Sequence, residues 1–286
     1  MLIQCFSYRI KYTRHSDNKL AMQPDFNIEN IKIPPCPWSI VGLTRESQKP
    51  EPDMNRIVAL ISHDPAMTVS MLNAVNSPMF GYSKKISSVN EAIYSIGMTR
   101  ALSLAFACKV SDLCSNPKAL NNIWQHSRAI AEIAAKLYKL SFITEFNANS
   151  AYTAGLLHDC GLFLMQDQVG VDRDLSRTDM GMENHFNHHA ELGATLLKKW
   201  GMADIIVQSA KYHHSIESLS DDFPLEVCKM VALIHLAERV DDLIQHTLNG
   251  GENNIPDSCL LALDILDIES NSFLDVQYDL LEDSAT

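Results

Sequence analysis

Side chains that can bind a metal ion recur through the second half of this sequence, and each set lies on or at the edge of a different predicted helix. The sets are His126, the pair His158 and Asp159, His189, the pair His213 and His214, and Glu238 with Asp241. Imidazoles and carboxylates that point inward from several helices can replace the water ligands of a metal without thiolates. The pattern therefore predicts a mixed nitrogen and oxygen site for a divalent metal, for Fe, Mn or Zn rather than Mg.

Glu238 is the most informative of these residues. On its helix it continues, at helical spacing, an apolar stripe that runs from Val227 to Ile234, so its carboxylate should face the core. An ionised carboxylate in the core is costly unless it is paired or coordinated. His213 and His214 also follow apolar helical positions, so at least one of them should face inward. The alternative is a set of core histidines that are satisfied by hydrogen bonds or by ion pairs with Glu238, without any metal.

At these residues the sequence resembles a known family. The order of a lone His126, then His158 and Asp159, then an acidic residue at 238 resembles the H, HD, D signature of the HD superfamily of metal-dependent phosphohydrolases. More specifically, the chain resembles an HDOD domain, the HD-related output domain of bacterial signalling proteins. The segments that carry this resemblance are IPPCP at 33–37, HDPA at 63–66, NSPMFG at 76–81, residues 86–97, WQHS at 124–127, AGLLHD at 154–159, HAELG at 189–193, WG at 200–201 and YHH at 212–214.

The resemblance implies an all-α fold in which an N-terminal helical subdomain packs on an HD-like helical subdomain. It also implies a ligand set, because the counterparts of four residues bind the metal in the HD superfamily: His126, His158, Asp159 and Glu238. Three further residues match positions that bind additional metal in the related HD-GYP phosphodiesterases: His189, His213 and His214. In such enzymes the metal activates a water that attacks phosphorus and neutralises charge on the phosphoryl oxygens.

Three departures from that pattern argue against catalysis. Glu238 stands where the superfamily has aspartate, and its extra methylene displaces a ligand oxygen unless the helix shifts. Leu162 follows the HD pair where phosphodiesterase relatives commonly place a lysine, and residues 215–217 read SIE with no trace of a G-Y-P segment. The predicted catalytic residues are therefore Asp159 and, as the one cation placed to replace that lysine, Lys211.

The elements that must position these residues are all predicted to be helices. Apolar side chains repeat at helical spacing through residues 57–61, 67–75, 86–96, 101–113, 130–137, 154–165, 190–200, 203–214, 225–248 and 260–281. No β-type alternation or N-G hairpin signal separates them. The prolines in 33–37 exclude a helix there. We expect an N-terminal extension at 1–32, flexible and without assigned function, an N-terminal helical subdomain at 33–117 and an HD-like subdomain at 118–286 that ends in an acidic helix.

Composition excludes several classes of protein. The net charge is −12, and residues 249–286 hold nine acidic and no basic side chains, so a DNA-binding role is not expected. The longest apolar stretch, residues 101–110, is too short to span a membrane, and no signal peptide is visible. The seven cysteines include no C-x-x-C pair, which excludes a zinc knuckle or a disulfide scaffold. The predicted location is the cytoplasm of a bacterium.

Four weaker candidates complete the set. We expect His188 to be an exposed helix cap and His185 to lie in a loop, whereas residues 83–85, Ser-Lys-Lys, are a solvated turn or a phosphate contact. Asn76 should brace the turn ahead of Pro78.

Three functions are compatible with the sequence. The first is a signalling domain that acts through a protein partner or a small nucleotide-like ligand and retains a metal site. The second is an active metal-dependent phosphohydrolase. The third is a scaffold whose buried histidines only stabilise the fold.

Overall fold

Helices account for all the regular secondary structure in the part of the chain that this computed structural model describes, residues 31–77, 80–166, 183–220, 222–248 and 257–274. They are α1 Trp38–Ser47, α2 Met54–Ser62, α3 Pro65–Val75, α4 Val89–Ile96, α5 Met98–Ser111, α6 Pro117–Leu140, α7 Ala148–Leu157, α8 Gly161–Gln166, α9 Glu183–Lys199, α10 Asp204–Tyr212, a 3-10 turn Ile216–Ser218, α11 Leu225–Leu248 and α12 Asp257–Leu266. The all-α prediction is confirmed. Most of the predicted N-terminal extension, residues 1–30, and residues 275–286 lie outside the described residues. The acidic helix predicted over 260–281 is not continuous, because α12 ends at Leu266 and Asp267 has a positive φ of 54°. No described helix is long and apolar enough to cross a membrane.

Local polar side chains decide where many of the helices begin. The capping residues accept hydrogen bonds from N–H groups of the first turn, which otherwise have no partner: Asp53 for α2, Asp64 for α3, Ser88 for α4, Asn116 for α6 and Asn147 for α7. Pro65 and Pro117 follow two of these caps, at positions where a helix loses nothing by lacking an N–H. The local sequence therefore determines where these five helices begin.

The HD pair interrupts a stretch that the apolar pattern predicts to be one helix, residues 154–165. That prediction was wrong in one respect, because α7 ends at Leu157 and α8 begins only at Gly161. Cys160 N–H donates to the Leu157 carbonyl and Leu162 N–H to the Asp159 carbonyl, so the chain turns a corner between the two helices. Every residue from 151 to 165 is buried, and such uniform burial hides the corner from the periodicity.

The first five helices pack on the later ones through α5, α7 and the end of α9. The Ser103 and Thr153 hydroxyls lie 2.6 Å apart between α5 and α7, and the rings of Phe106 and Trp200 meet edge to face at 5.5 Å. Trp200 Nε1 also donates to the Pro34 carbonyl at 3.2 Å. The extended segment 33–37 is thus tied to the C-terminal end of α9.

Asn76 braces the chain between α3 and α4. Its amide nitrogen donates to the carbonyls of Leu72 and Ile86, each at 2.8 Å, and its amide oxygen accepts from Ile86 N–H at 2.8 Å. The backbone N–H and carbonyl of Ile86 both form hydrogen bonds with the Asn76 side chain. The helix predicted from residue 86 therefore begins only at Val89, after the Ser88 cap. Asn76 has the structural role that the sequence predicts.

We expect Asn76→Ala to lower the free energy of unfolding by about 2–3 kcal/mol, since three hydrogen bonds are lost and their backbone partners stay behind. Asn73→Ala is the matched control, because Asn73 is exposed on the same helix. It should change stability by less than about 0.5 kcal/mol. Urea denaturation of both variants measures the difference, and similar losses in the two would contradict the bracing role.

Candidate metal centre

All seven predicted metal ligands lie in one cluster, although they are spread from residue 126 to residue 238. Five elements supply them. His126 comes from α6, His158 and Asp159 from the corner between α7 and α8, His189 from α9, His213 and His214 from the turn after α10, and Glu238 from α11. The structure brings these side chains together, and their assignment as metal ligands stays a prediction.

Asp159 lies at the centre of the cluster. Its Oδ1 is 3.1 Å from His189 Nε2 and 3.3 Å from His213 Nε2. Its Oδ2 is 3.4 Å from His158 Nε2 and 3.6 Å from His126 Nε2. One carboxylate therefore faces four imidazoles, two on each oxygen.

Glu238 joins the cluster despite its extra methylene. Its Oε1 is 3.4 Å from His158 Nε2, and its Oε2 is 3.5 Å from His214 Nδ1. The oxygens of the longer side chain thus lie within the cluster, because α11 places Glu238 where its carboxylate reaches between two histidines. Nearby, Asp241 Oδ2 lies 3.2 Å from His126 Nδ1, in the place of a carboxylate that orients a ligand histidine.

Backbone carbonyls fix the orientation of two of the rings. His158 Nδ1 lies 2.7 Å from the Gly155 carbonyl, and His213 Nδ1 lies 2.7 Å from the Ala210 carbonyl. A carbonyl oxygen can only accept, so in both residues Nδ1 carries the proton. In the neutral form of each ring the lone pair is therefore on Nε2, which faces Asp159. Metal-binding histidines are held in this way.

Three buried atoms of the cluster make no hydrogen bond within the described part of the chain: His158 Nε2, Asp159 Oδ1 and Glu238 Oε2. Asp159 and Glu238 are only 6% and 5% exposed, so water cannot easily compensate them. Two groups of side chains each offer ligand atoms within 4.8 Å of one another: Asp159, His189, His213 and His214, and His158, Asp159, His213 and Glu238. Imidazole and carboxylate donors around unsatisfied atoms fit Fe, Mn or Zn.

The side chains of the cluster strongly shift one another's pKa values. Burial raises the pKa of Asp159 and of Glu238, but the surrounding histidines outweigh it and hold both well below their ordinary values. Burial lowers the pKa of His158, yet the two carboxylates bring it well above 6.5. Burial, and then the adjacent His213, lower the pKa of His214 to about 3. Burial also lowers the pKa of His213, so His213 and His214 resist protonation while His158 holds its proton between the two carboxylates.

Three cations that are close in sequence to cluster residues form contacts with other groups. Lys211 Nζ is paired at 3.3 Å with Glu191, lies over the Tyr212 ring and is 37% exposed at its side chain. Arg239 pairs with the next turn of its own helix, and Arg128 donates to a carbonyl of α6. The contacts of Lys211 are with Glu191 and Tyr212 rather than with the cluster, and its catalytic role stays a prediction.

The remaining histidine candidates divide three ways. His188 lies inside α9, which begins at Glu183, so the predicted cap at this position was wrong. The polar turns before Ala190 carry no apolar stripe that would reveal the earlier start. His185 also lies within α9, so its predicted loop position was wrong, and its side chain lies outside the described residues. His235 was missed, although its place three residues before Glu238 on one helical face was a usable signal.

Close packing of α8 on α9 brings Asp159 to His189. A Cβ at Gly161 would overlap the His189 carbonyl oxygen and lie 2.8 Å from Gly193 N. No larger residue fits at 161 unless the two helices separate. Glycine at this position therefore sets the distance between the HD corner and α9.

A family model and several solved structures are similar to this chain. The HDOD domain family model matches residues 33–216. An HDOD domain protein of unknown function from Geobacter sulfurreducens is 22% identical, with a TM-score of 0.55 over 86% of this chain and 83% of that one. A protein proposed to be a phosphohydrolase, from Shewanella amazonensis SB2B, is 18% identical, with a TM-score of 0.62 over 89% and 91% of the two chains.

Two further relatives are longer than this chain. A protein from Marinobacter aquaeolei VT8, proposed to act in signal transduction, is 18% identical with a TM-score of 0.66 over 92% of this chain and 60% of that one. An uncharacterized protein of Treponema pallidum is 24% identical over 202 residues, which are 67% of this chain but only 39% of that protein. The similarity to the solved structures establishes a shared fold.

We expect Gly161→Ala to destabilise the protein by about 1–3 kcal/mol, because the new methyl group must push α8 away from α9. Gly42→Ala is the matched control, since its Cβ would meet only the movable end of the Leu60 side chain at 2.8 Å. Alanine in the middle of α1 should leave stability unchanged or raise it by up to about 1 kcal/mol. Chemical denaturation of both variants tests the contrast, and equal effects would show that the α8–α9 approach is not tight.

Proposed function

We propose, because the chain belongs to the HDOD domain family, that it is a signalling domain that binds a divalent metal at this cluster and acts through contacts with other molecules. Its partner is then a signalling protein or a small nucleotide-like ligand. One observation supports metal binding: three buried ligand atoms without hydrogen bonds lie in a cluster of two carboxylates and five histidines. Leaving such groups uncompensated costs free energy that a bound cation would recover.

The charge around the cluster supports binding rather than turnover. Phosphoryl transfer needs positive charge around the transferred group, and a metal is usually helped there by Lys or Arg. In the described part of the chain, Leu162 is buried directly after the HD corner, and Lys211 is paired with Glu191. A phosphate placed at the cluster would meet the carboxylates of Asp159 and Glu238.

A metal-dependent phosphohydrolase is the second candidate, and one observation favours it. The two groups of converging ligand atoms share Asp159, whose two oxygens could bridge two ions, while the single lone pair of His213 would serve one of them. When bound, such ions would polarise a phosphoryl oxygen and lower the pKa of a water. The chain itself would contribute Asp159 as the shared carboxylate and Lys211 as the predicted cation. A scaffold role without metal is the third candidate, and elemental analysis separates it from the other two.

We expect purified protein to contain Fe, Mn or Zn and Asp159→Ala to have lost it, because Asp159 belongs to both groups of ligand atoms. At a free metal concentration 100 times the Kd, metal should stabilise the wild type by about 2.7 kcal/mol and leave the variant unchanged. Asp264→Ala, an exposed carboxylate on α12, is the control. Elemental analysis and denaturation with and without metal give the readouts. Equal metal in wild type and Asp159→Ala would remove the cluster as the site.

Turnover on phosphoesters should be weak or absent even with added Mn or Fe. The reason is that, among the described residues, Lys211 and Arg239 are paired with carboxylates and Leu162 supplies no charge. A panel of phosphomonoesters, cyclic nucleotides and dNTPs measures it, with Asp159→Ala as the blank. Robust metal-dependent hydrolysis that is lost in this variant and impaired in Lys211→Ala would establish the enzyme instead.

A further inference from the structure

The C-terminal end of α10 is capped by histidine side chains. The helix ends at Tyr212, and the last carbonyls of a helix have no N–H partner from the helix itself. The Ala210 carbonyl accepts from His213 Nδ1 at 2.7 Å. The His213 carbonyl accepts from His235 Nδ1 at 2.9 Å. A side chain of α11 therefore closes the helix end that carries two candidate ligands.

His235 is committed to this contact by its chemistry and its burial. It is only 7% exposed, and the carbonyl it faces can only accept, so its Nδ1 carries the proton. It lies three residues before Glu238, nearly one helical turn away on the same side of α11. One helix thus presents a candidate ligand and, one turn earlier, a donor to the turn that holds His213 and His214.

We infer that His235 is a positioning residue for the metal centre: its hydrogen bond to the His213 carbonyl sets the place of the His213–His214 turn relative to Glu238. This inference rests on the proposed metal binding. Without the donor, the His213 carbonyl is left buried without its partner from α11, and the turn is free to shift. Groups that orient metal ligands typically contribute 10–100-fold to affinity, because a ligand displaced by about 1 Å no longer binds well.

The geometry favours positioning over direct ligation. His235 belongs to neither group of ligand atoms that converge within 4.8 Å of one another. Its Nδ1 is occupied by the carbonyl, while its Nε2 is buried and makes no hydrogen bond within the described residues. If Nε2 were itself a ligand, the two ring nitrogens would have separable roles. Variants that keep only one of them therefore distinguish the two hypotheses.

The test uses Co²⁺ as the probe and three substitutions. In His235→Asn the amide nitrogen occupies the place of Nδ1 and can still donate to the His213 carbonyl, whereas His235→Gln keeps a polar group near Nε2 only. His235→Phe keeps neither. We expect His235→Asn to retain the wild-type affinity and visible absorption spectrum of bound Co²⁺. The other two should bind about 10–100-fold more weakly, with altered spectra.

A second readout works on the metal-free protein. Amide hydrogen exchange at residues 212–215 should speed up in His235→Gln and His235→Phe but not in His235→Asn, whether or not cobalt binds. Denaturation curves of the same samples show that the variants are folded under the binding conditions.

Each contrary outcome has a distinct meaning. Retained affinity in His235→Gln with loss in His235→Asn would show that Nε2 binds the metal and would overturn the positioning role. Wild-type affinity and exchange in all three variants would overturn it as well. If the wild type binds no Co²⁺, or Asp159→Ala binds it equally, the proposed metal centre fails, and the exchange data then decide separately whether His235 holds the turn.

Discussion

Asp159 is a carboxylate buried at the corner between two helices, and the surrounding structure is arranged to compensate it. An ionised group at 6% exposure is tolerated only with opposite charge or donors around it. Four histidine nitrogens lie 3.1–3.6 Å from its oxygens, and they come from α6, α9, the end of α10 and the adjacent residue. The positions of these elements are thus linked to one another through a single side chain.

The apolar core makes this arrangement rigid. Helix α7 approaches α6 so closely that a Cβ at Gly155 would lie 2.7 Å from Ala131 Cα, and Gly161 allows a similar approach of α8 to α9. Such contacts cannot relax without moving whole helices, because a packed core has little free volume. The imidazoles are held further by backbone carbonyls at Gly155 and Ala210. The fold therefore supplies preorganised nitrogen lone pairs, which is the main structural requirement of a metal site.

The same arrangement explains why a binding role is the better proposal. The cluster brings two buried carboxylates together, whereas the described cations next to it in sequence contact other groups. Arg239 pairs with Asp242 at 3.0 Å, and Lys211 reaches Glu191 on the surface of α9. A site of this composition suits a cation better than it suits a phosphate.

Several features could be predicted from the sequence because they are local. Asp and Asn caps and the prolines that follow them mark helix starts, and the bracing role of Asn76 follows from its place before Pro78. The inward direction of Glu238 follows from helical phase, since a stripe with a period of 3.6 residues identifies the buried face. The family resemblance added the order of the histidines, which no periodicity contains.

The remaining features were decided by tertiary structure. Uniform burial around residues 158–160 concealed the corner between α7 and α8, and the polar first turns of α9 concealed its start at Glu183. The contact of His235 with the His213 carbonyl joins residues 22 positions apart on different helices. Sequence pattern reports which face of a helix is buried, because that depends on the spacing along one element. Which distant atom contacts that face depends on how the helices pack. This packing alone placed the four imidazoles around Asp159.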